Sequence, residues 1–538
     1  MGNDAHGPPG GVDALTSISS VGSLTAINPI PASSGDGRAV TISNSPAVPS
    51  STSVTLGQGA GTTLTYSPPS SVSTSGVAWD RDVVDPVSTA MANAVLARTA
   101  AGRLEGVASA LLARFKTDGG NFSQSAVLPR ASESLDGLTD AMAARLPGQS
   151  DDSYTLRITT ASGAKVAVTL GNSADGLAVQ IEVTDGELSE VERNAIAGLS
   201  KSFQDAVDGL ASVPPRMALA GLTKFDTAVL SSVSLQATSS NNGVMAQTID
   251  FVADSKQRSL TVKSAAGVVK VDVDVSKPAV FGNEQQRAAA VGDYLQQFDA
   301  AQGRGKGDAD LMALFKDAFT ELHKTYEAGA APSSQAPSRV AAGYTYRSLL
   351  SGVADFSASV SQTLEMTNPY KTSEIDQFTY QVAQSSSVSG RPFFDLAVKQ
   401  EQSSNLAASY HTALTPQMQL ELSKDKDSQN YRFYQINDKT SSQTDIRYEE
   451  GLLAAATLTQ SRHLSMRVQT YMKGELVDDN TTPVSESKTR SLLSLVQAAE
   501  LEPSEEERLQ RRDPAQADAI LLAKHVSLAR SVARERQG

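Results

Sequence analysis

The stretch Phe356-Ser357-Ala358-Ser359-Val360-Ser361 alternates apolar and polar residues, and Leu364 and Met366 carry the apolar side on against Thr363 and Glu365. Successive side chains of a β-strand point to opposite faces, so this run sets one apolar face against a core and one polar face outward. The same alternation returns at Phe378, Tyr380 and Val382, at Phe394, Leu396 and Val398, and at Met418, Leu420 and Leu422. Tyr431 with Phe433, then Leu464, Met466 and Val468, complete the series. Short stretches of Ser, Gly, Asn, Asp and Lys join these runs, with no helical pattern between them. Residues 342–484 therefore predict an antiparallel meander of roughly seven to nine strands. Half of the chain's aromatic residues lie between Tyr344 and Tyr471.

A sheet that is apolar on one side needs a cover, which helices, a second sheet or closure into a barrel could supply. A membrane barrel would carry a continuous apolar outer face with aromatic girdles. Here Ala, Gln and Ser interrupt the apolar faces, which argues against it.

Upstream, Tyr154, Leu156 and Ile158 lead to Ser162-Gly163, and Val166, Val168 and Leu170 run back, the pattern of a β-hairpin. A third strand spans Leu177 to Val183. Ser189 and Glu192 then have capping-box spacing, opening a helix with Val191, Ala195, Leu199, Phe203, Val207 and Leu210 on its apolar face. Leu260, Val262, Gly267, Val269, Val271 and Val273 mirror the first hairpin, and a helix follows from Asn283 with Val291, Tyr294, Leu295 and Phe298. An internal duplication of a hairpin-plus-helix unit is one reading of this recurrence. A strong helix with Leu311, Leu314, Phe315, Ala318, Leu322 and Tyr326 closes the segment.

The expected organisation is multi-domain α+β. Residues 1–79 are a Ser/Thr/Gly/Pro-rich disordered leader, too poor in apolar residues to offset the entropy of ordering. Residues 80–148 are helical, with one pattern from Pro86 to Phe115 loosened by Gly102 and Gly106, and a second through Leu135, Leu138, Met142 and Leu146. The α+β domain covers 149–327, a Pro/Ala/Gly linker 328–341, the β-rich domain 342–484, and a helical tail 485–538. In that tail Ser504 with Glu507 and Asp513-Pro514 start helices, and Ile520, Leu521, Leu528 and Val532 form an apolar side.

At 538 residues the chain exceeds a single ordinary core, and its formal charge of −13 is scattered. Nucleic-acid binding needs clustered Lys and Arg, so that class is disfavoured. The absence of cysteine removes disulfides, Cys-ligated metals and thiol catalysis. It also favours secretion or the cell surface over the cytoplasm. No apolar run is long enough for a transmembrane helix, and Met1-Gly2-Asn3-Asp4 lacks the basic and apolar regions of a cleavable signal. A non-Sec route through the Ser-rich leader is the export route that fits. His6 stands where a myristoylation motif at Gly2 wants Ser or Thr.

Catalytic motifs break at named positions. Gly303-Arg304-Gly305-Lys306-Gly307 lacks the spacing of a phosphate loop and reads as the loop before a helix. Ser485-Glu486-Ser487-Lys488 matches Ser-x-x-Lys, a frequent coincidence in a Ser-rich chain. Asp425 to Asn430 begins like a calcium loop but has no glycine at the sixth position, with Ile436 in place of the bidentate Glu, and reads as a polar turn. His323 and Glu327 share a helical face and read as an exposed pair. His411 and His463 fall by strand parity on the polar side of the meander, with Asp395 and Glu421 assigned there too. If their strands are neighbours, these four could form an acid–base or metal site. No cofactor is implied. The expected function is a non-enzymatic structural or interaction protein, exported or associated with a cell surface or appendage, with unidentified protein partners. The alternatives are a hydrolase built on the four residues above, and a glycan- or peptide-binding module.

Overall fold

Alternation becomes strand over most of the chain, and the strands assemble into one sheet. The computed structural model describes residues 77–79, 85–128, 150–241, 244–325, 346–391 and 394–493, all within one compact unit, Ser71–Gly538. Its fifteen strands are entirely antiparallel and stand in the order β1-β2-β5-β4-β3-β6-β7-β8-β9-β10-β11-β12-β13-β14-β15. The first half holds β1 (Ala78–Trp79), β2 (Phe122–Val127), β3 (Asp152–Thr160), β4 (Lys165–Ser173), β5 (Gly176–Thr184), β6 (Leu230–Asn241), β7 (Val244–Asp254), β8 (Gln257–Ser264) and β9 (Gly267–Asp274). The second holds β10 (Asp355–Gln362), β11 (Gln377–Ser389), β12 (Ala397–Ala413), β13 (Tyr431–Glu449), β14 (Leu452–Met472) and β15 (Glu475–Ser491).

Both hairpins form as the spacing predicts, with Leu156 opposite Val168 and Leu260 opposite Val271. The strands β6 and β7, which no reading above assigned, lie between them. β10 pairs with β9 along its whole length, so residues 149–327 and 342–484 share one sheet. Gly267 permits this. It has φ 153°, pairs with Gln362, and a Cβ there would lie 2.2 Å from the carbonyl oxygen of Ser361.

Helices cover the apolar face in two groups. Over the first strands lie α1 (Pro86–Ala94), α2 (Ala100–Leu104), α3 (Val107–Asp118), α4 (Glu190–Gly198) and α5 (Ser200–Leu210). The expected helix from Pro86 to Phe115 is thus three helices, with Gly106 left-handed at φ 73° where α3 begins. Ser189 and Glu192 form the capping box expected of them. The helix they open breaks at Leu199, and Val191 is exposed rather than core-facing. Over β8 to β12 lie α6 (Glu284–Gly305), capped by Asn283, and α7 (Ala309–His323). Phe298 at their centre is fully buried, with ring centroids at 4.7 Å from Phe315, 5.1 Å from Phe319 and 5.8 Å from Tyr380. Burying a ring of this size contributes about 1.5–3 kcal/mol.

Several expectations need correction. Among the described residues, 342–484 begin six strands, not seven to nine, because these reach 21 residues in β14. Leu364 and Met366 lie beyond β10 and are exposed, as is Phe394 ahead of β12. Met418, Leu420 and Leu422 lie in a connection rather than a strand. Residues 485–491 finish β15 and are not helical. Gly303-Arg304-Gly305 is the last turn of α6, with Lys306 as its left-handed cap. His323 is buried, its Nδ1 2.9 Å from the Phe319 carbonyl, and burial lowers its pKa to about 4. The leader, expected to end at 79, reaches β1 at Ala78. Residues 1–76, the helix expected through Leu135 to Leu146, the linker 328–341, Tyr326, Glu327 and the expected helices after Ser504 lie outside the described residues.

Candidate functional site

The four residues expected to converge do not. His411 on β12 lies opposite Phe433, and His463 on β14 lies opposite Lys439. Both point away from the helices, as parity requires. Phe433 pairs across to Gln469, however, so the two histidines are separated by six residues along the strands, roughly 20 Å. Asp395 sits in the turn before β12, exposed and hydrogen-bonded to Arg391, whose guanidinium and backbone N–H hold its pKa down. Glu421 is exposed in the connection after β12. His463 Nδ1 meets Ser485 Oγ at 3.0 Å on the open surface.

His411 has acquired other partners. Its Nδ1 lies 2.6 Å from Asp376 Oδ1 and its Nε2 3.1 Å from Glu374 Oε2. Tyr431 Oη donates to the same Glu374 oxygen at 2.6 Å, and Lys371 Nζ approaches the other Glu374 oxygen at 3.7 Å. The carboxylates come from the connection between β10 and β11, which folds back over the sheet and pairs with itself at Glu365 and Asp376. Tyr431, Phe433 and Tyr471, with Leu420 and Leu422 of the next connection, form a small second core on this face. Burial by itself pulls the imidazolium of His411 down, but the hydrogen bonds and charges of Asp376 and Glu374 outweigh it and raise the pKa. Burial pushes Glu374 up, and the bonds from His411 and Tyr431 more than reverse that.

This geometry limits the chemistry. An imidazolium with both N–H groups given to carboxylates has no lone pair left to accept a proton or bind a metal. Among the described residues, no group of His, Asp and Glu is arranged to hold a metal ion. The cluster works as a clamp, tying the connection between β10 and β11 to the ends of β12 and β13. Sequence periodicity gave no sign of Glu374 or Asp376, because the connection doubles back onto a face that the strand pattern marks as polar.

A second polar cluster lies on the helix side. Arg462 on β14 makes paired hydrogen bonds to Asp438 on β13 at 3.0 and 2.7 Å, and Arg304 of α6 adds a contact at 3.3 Å. Gln384 on β11 accepts from Ser351 Oγ at 2.7 Å and Tyr294 Oη at 3.1 Å, pinning the segment before β10 beneath α6. Asp438, Arg462 and Gln384 are buried in the core, while the Arg304 side chain keeps 35% of its surface exposed.

The open face is different in kind. Across the first seven strands of a single register row stand Ser123, Gln180, Thr169, Thr155, Gln236, Asp250 and Thr261. The row continues through Lys270, Ser359, Gln381, Asn405, Lys439, His463 and Ser485. Directly opposed residues share a face, so this is one polar line across fourteen strands, and none of its members is buried. Beside it runs a second row through Asp272, Ser357, Ala383, Ser403, Ser441, Ser461 and Ser487. Around Lys270, Ser359, Gln381, Asn405 and Lys439 the surface forms a hollow of about 500 Å³. No helix among the described residues is long and apolar enough to cross a membrane. No protein-family model, curated protein or solved structure matches this chain.

Proposed function

We propose that the chain is a non-enzymatic interaction protein whose working surface is the open face of the sheet. The observation that carries this reading is the polar row across fourteen strands, from Ser123 to Ser485, with its shallow hollow at Gln381 and Asn405. A surface of hydroxyls, amides and a few Lys side chains, with no aromatic in the row, suits many weak hydrogen bonds to an extended polar partner. The hollow is the place for a glycan or peptide segment. The chemistry of the His411 clamp agrees, since its groups are committed to each other. The cysteine-free composition and the Ser-rich first residues support an exported or surface-associated setting for such a partner.

The test uses the full chain on glycan and peptide arrays. Binding that is lost on Gln381→Arg with Asn405→Arg, and kept on His411→Gln, supports the reading. Hydrolysis of an ester, glycoside or peptide that Glu374→Gln abolishes overturns it in favour of the hydrolase. Binding that survives the double substitution overturns the open face as the working surface. For the setting, export of the chain should fail when residues 2–76, which stop short of β1, are deleted.

A further inference from the structure

The sheet ends unequally. Among the described residues, the last strand on one side is β1, two residues long. On the other it is β15, 17 residues long, where all residues but Val484 and Arg490 are exposed. Among the described residues β15 pairs with β14 alone. A long edge with free N–H and C=O groups is a template for another strand.

The chemistry of β15 restricts which strand. Its first half carries Glu475, Asp478 and Asp479, and its second half carries Glu486 followed by Lys488 and Arg490. Asp478, Lys488 and Arg490 make no ion pair among the described residues. A strand with acids near its start and its two bases near its end can set Asp478 against a base in an antiparallel copy of itself. Because β1 offers so little edge, such pairing closes as a two-fold dimer instead of running on into a fibre.

The backbone narrows the register. Pro483 has no N–H to give, so it fits in β15 with its nitrogen turned away from β14. The Leu492 N–H, of the opposite parity, donates to the Ala456 carbonyl on β14 at 2.7 Å. Odd-numbered residues of β15 from Asp479 onward therefore turn their backbone groups outward, and odd residues must pair with odd. Of the registers this allows, a two-fold axis at Thr482 sets Asp478 against Glu486, and one at Pro483 stacks two prolines without a bond between them. An axis at Val484 sets Asp478 against Arg490 and Asn480 against Lys488, with no like charges opposed.

We propose that two copies of this chain associate through β15, antiparallel, with Val484 on the two-fold axis and Asp478 facing Arg490 of the second copy. The proline and the acidic half then act as selectors. Axes at 481 and 485 oppose no like charges either, but they set Asp478 against Val484 or Leu492, whereas the axis at Val484 gives it a basic partner without stacking the prolines. The inference does not rest on the open-face reading, whose test residues lie on other strands.

The absence of cysteine provides a clean assay. At the axis, Val484 faces its own copy in a non-hydrogen-bonded pair, about 4.5 Å between Cα atoms, within disulfide reach. The full chain should sediment as a concentration-dependent dimer. Val484→Cys should crosslink to a dimer under mild oxidation, while Thr482→Cys should not. Asp478→Arg or Arg490→Asp alone should weaken the dimer by about tenfold, and the two together should restore it. Circular dichroism checks that each variant is folded, which the exposure of these positions favours. A chain that stays monomeric at all concentrations overturns the proposal. Crosslinking at 482 in preference to 484 overturns the register, and a double variant as weak as the single ones overturns the charge pairing.

Discussion

His411 on β12 and Glu374 in the connection before β11 meet at 3.1 Å, with Asp376 closing the other side of the ring at 2.6 Å. A buried imidazole between two carboxylates holds the connection on the sheet through both of its ring nitrogens.

The pH dependence follows from the two shifts. The pKa of His411 is raised, so its contribution is complete below about 6.5, the unfolded value, and is lost as pH rises through the folded one. Glu374 is lowered, so its contribution is complete above about 4.3 and lost as pH falls through its folded value. Thermal midpoints of the full chain should therefore decline on the alkaline side, and His411→Gln should flatten that decline. An alkaline slope unchanged by the substitution would show that other groups carry it. His411→Ala should cost about 2–4 kcal/mol in urea unfolding, since it leaves two carboxylates facing each other.

Asp438 and Arg462 are almost completely buried, with side chains 1% and 3% exposed. Removing one partner strands the other charge in the core. Asp438→Ala should lose about 3–5 kcal/mol, whereas Asp438→Leu with Arg462→Met should recover most of it. Denaturant midpoints of the three proteins distinguish the cases, and equal losses for the single and double variants would contradict this account.

Gly267→Ala tests the junction between the two halves of the sheet. The new methyl group would meet the Ser361 carbonyl oxygen at 2.2 Å, on a backbone at φ 153°. A loss of about 2 kcal/mol or more is expected, with faster amide exchange along β9 and β10. Wild-type stability in this variant would mean that β10 does not depend on close approach here.

Gln381→Arg and Asn405→Arg lie on the open face, exposed or half-exposed. Their effect on stability should stay within about 0.5 kcal/mol. That makes them fair probes of binding, and a large loss of stability would disqualify the open face as a mere surface.

Strand-forming segments were legible wherever an alternating run met a hydrophobic cover. Tyr154 to Leu170, Leu260 to Val273 and Phe356 to Val360 are strands in the register that their parity suggests. The capping boundary at Ser189 was equally local, because a side chain satisfies the helix's own first N–H groups. The pattern misled where burial came from elsewhere. Met418, Leu420 and Leu422 alternate, but the latter two pack as a cap over Tyr431 and Phe433 instead of pairing in the sheet. The Ser-rich run from 231 to 240 hid β6, since Ser and Thr weaken the contrast on which periodicity depends.

The amino-acid sequence by itself determined the alternation that makes one face polar and the other apolar, along with the absence of thiol chemistry. The order of strands, and with it every long-range partnership, belongs to the tertiary structure. Parity puts His411 and His463 on one face, but only strand order and register set their separation. Which carboxylates reach His411 depends on a connection folding back, and which strand is left at the edge depends on where pairing stops. Periodicity is a property of neighbouring residues, whereas register and edge are properties of the assembled sheet.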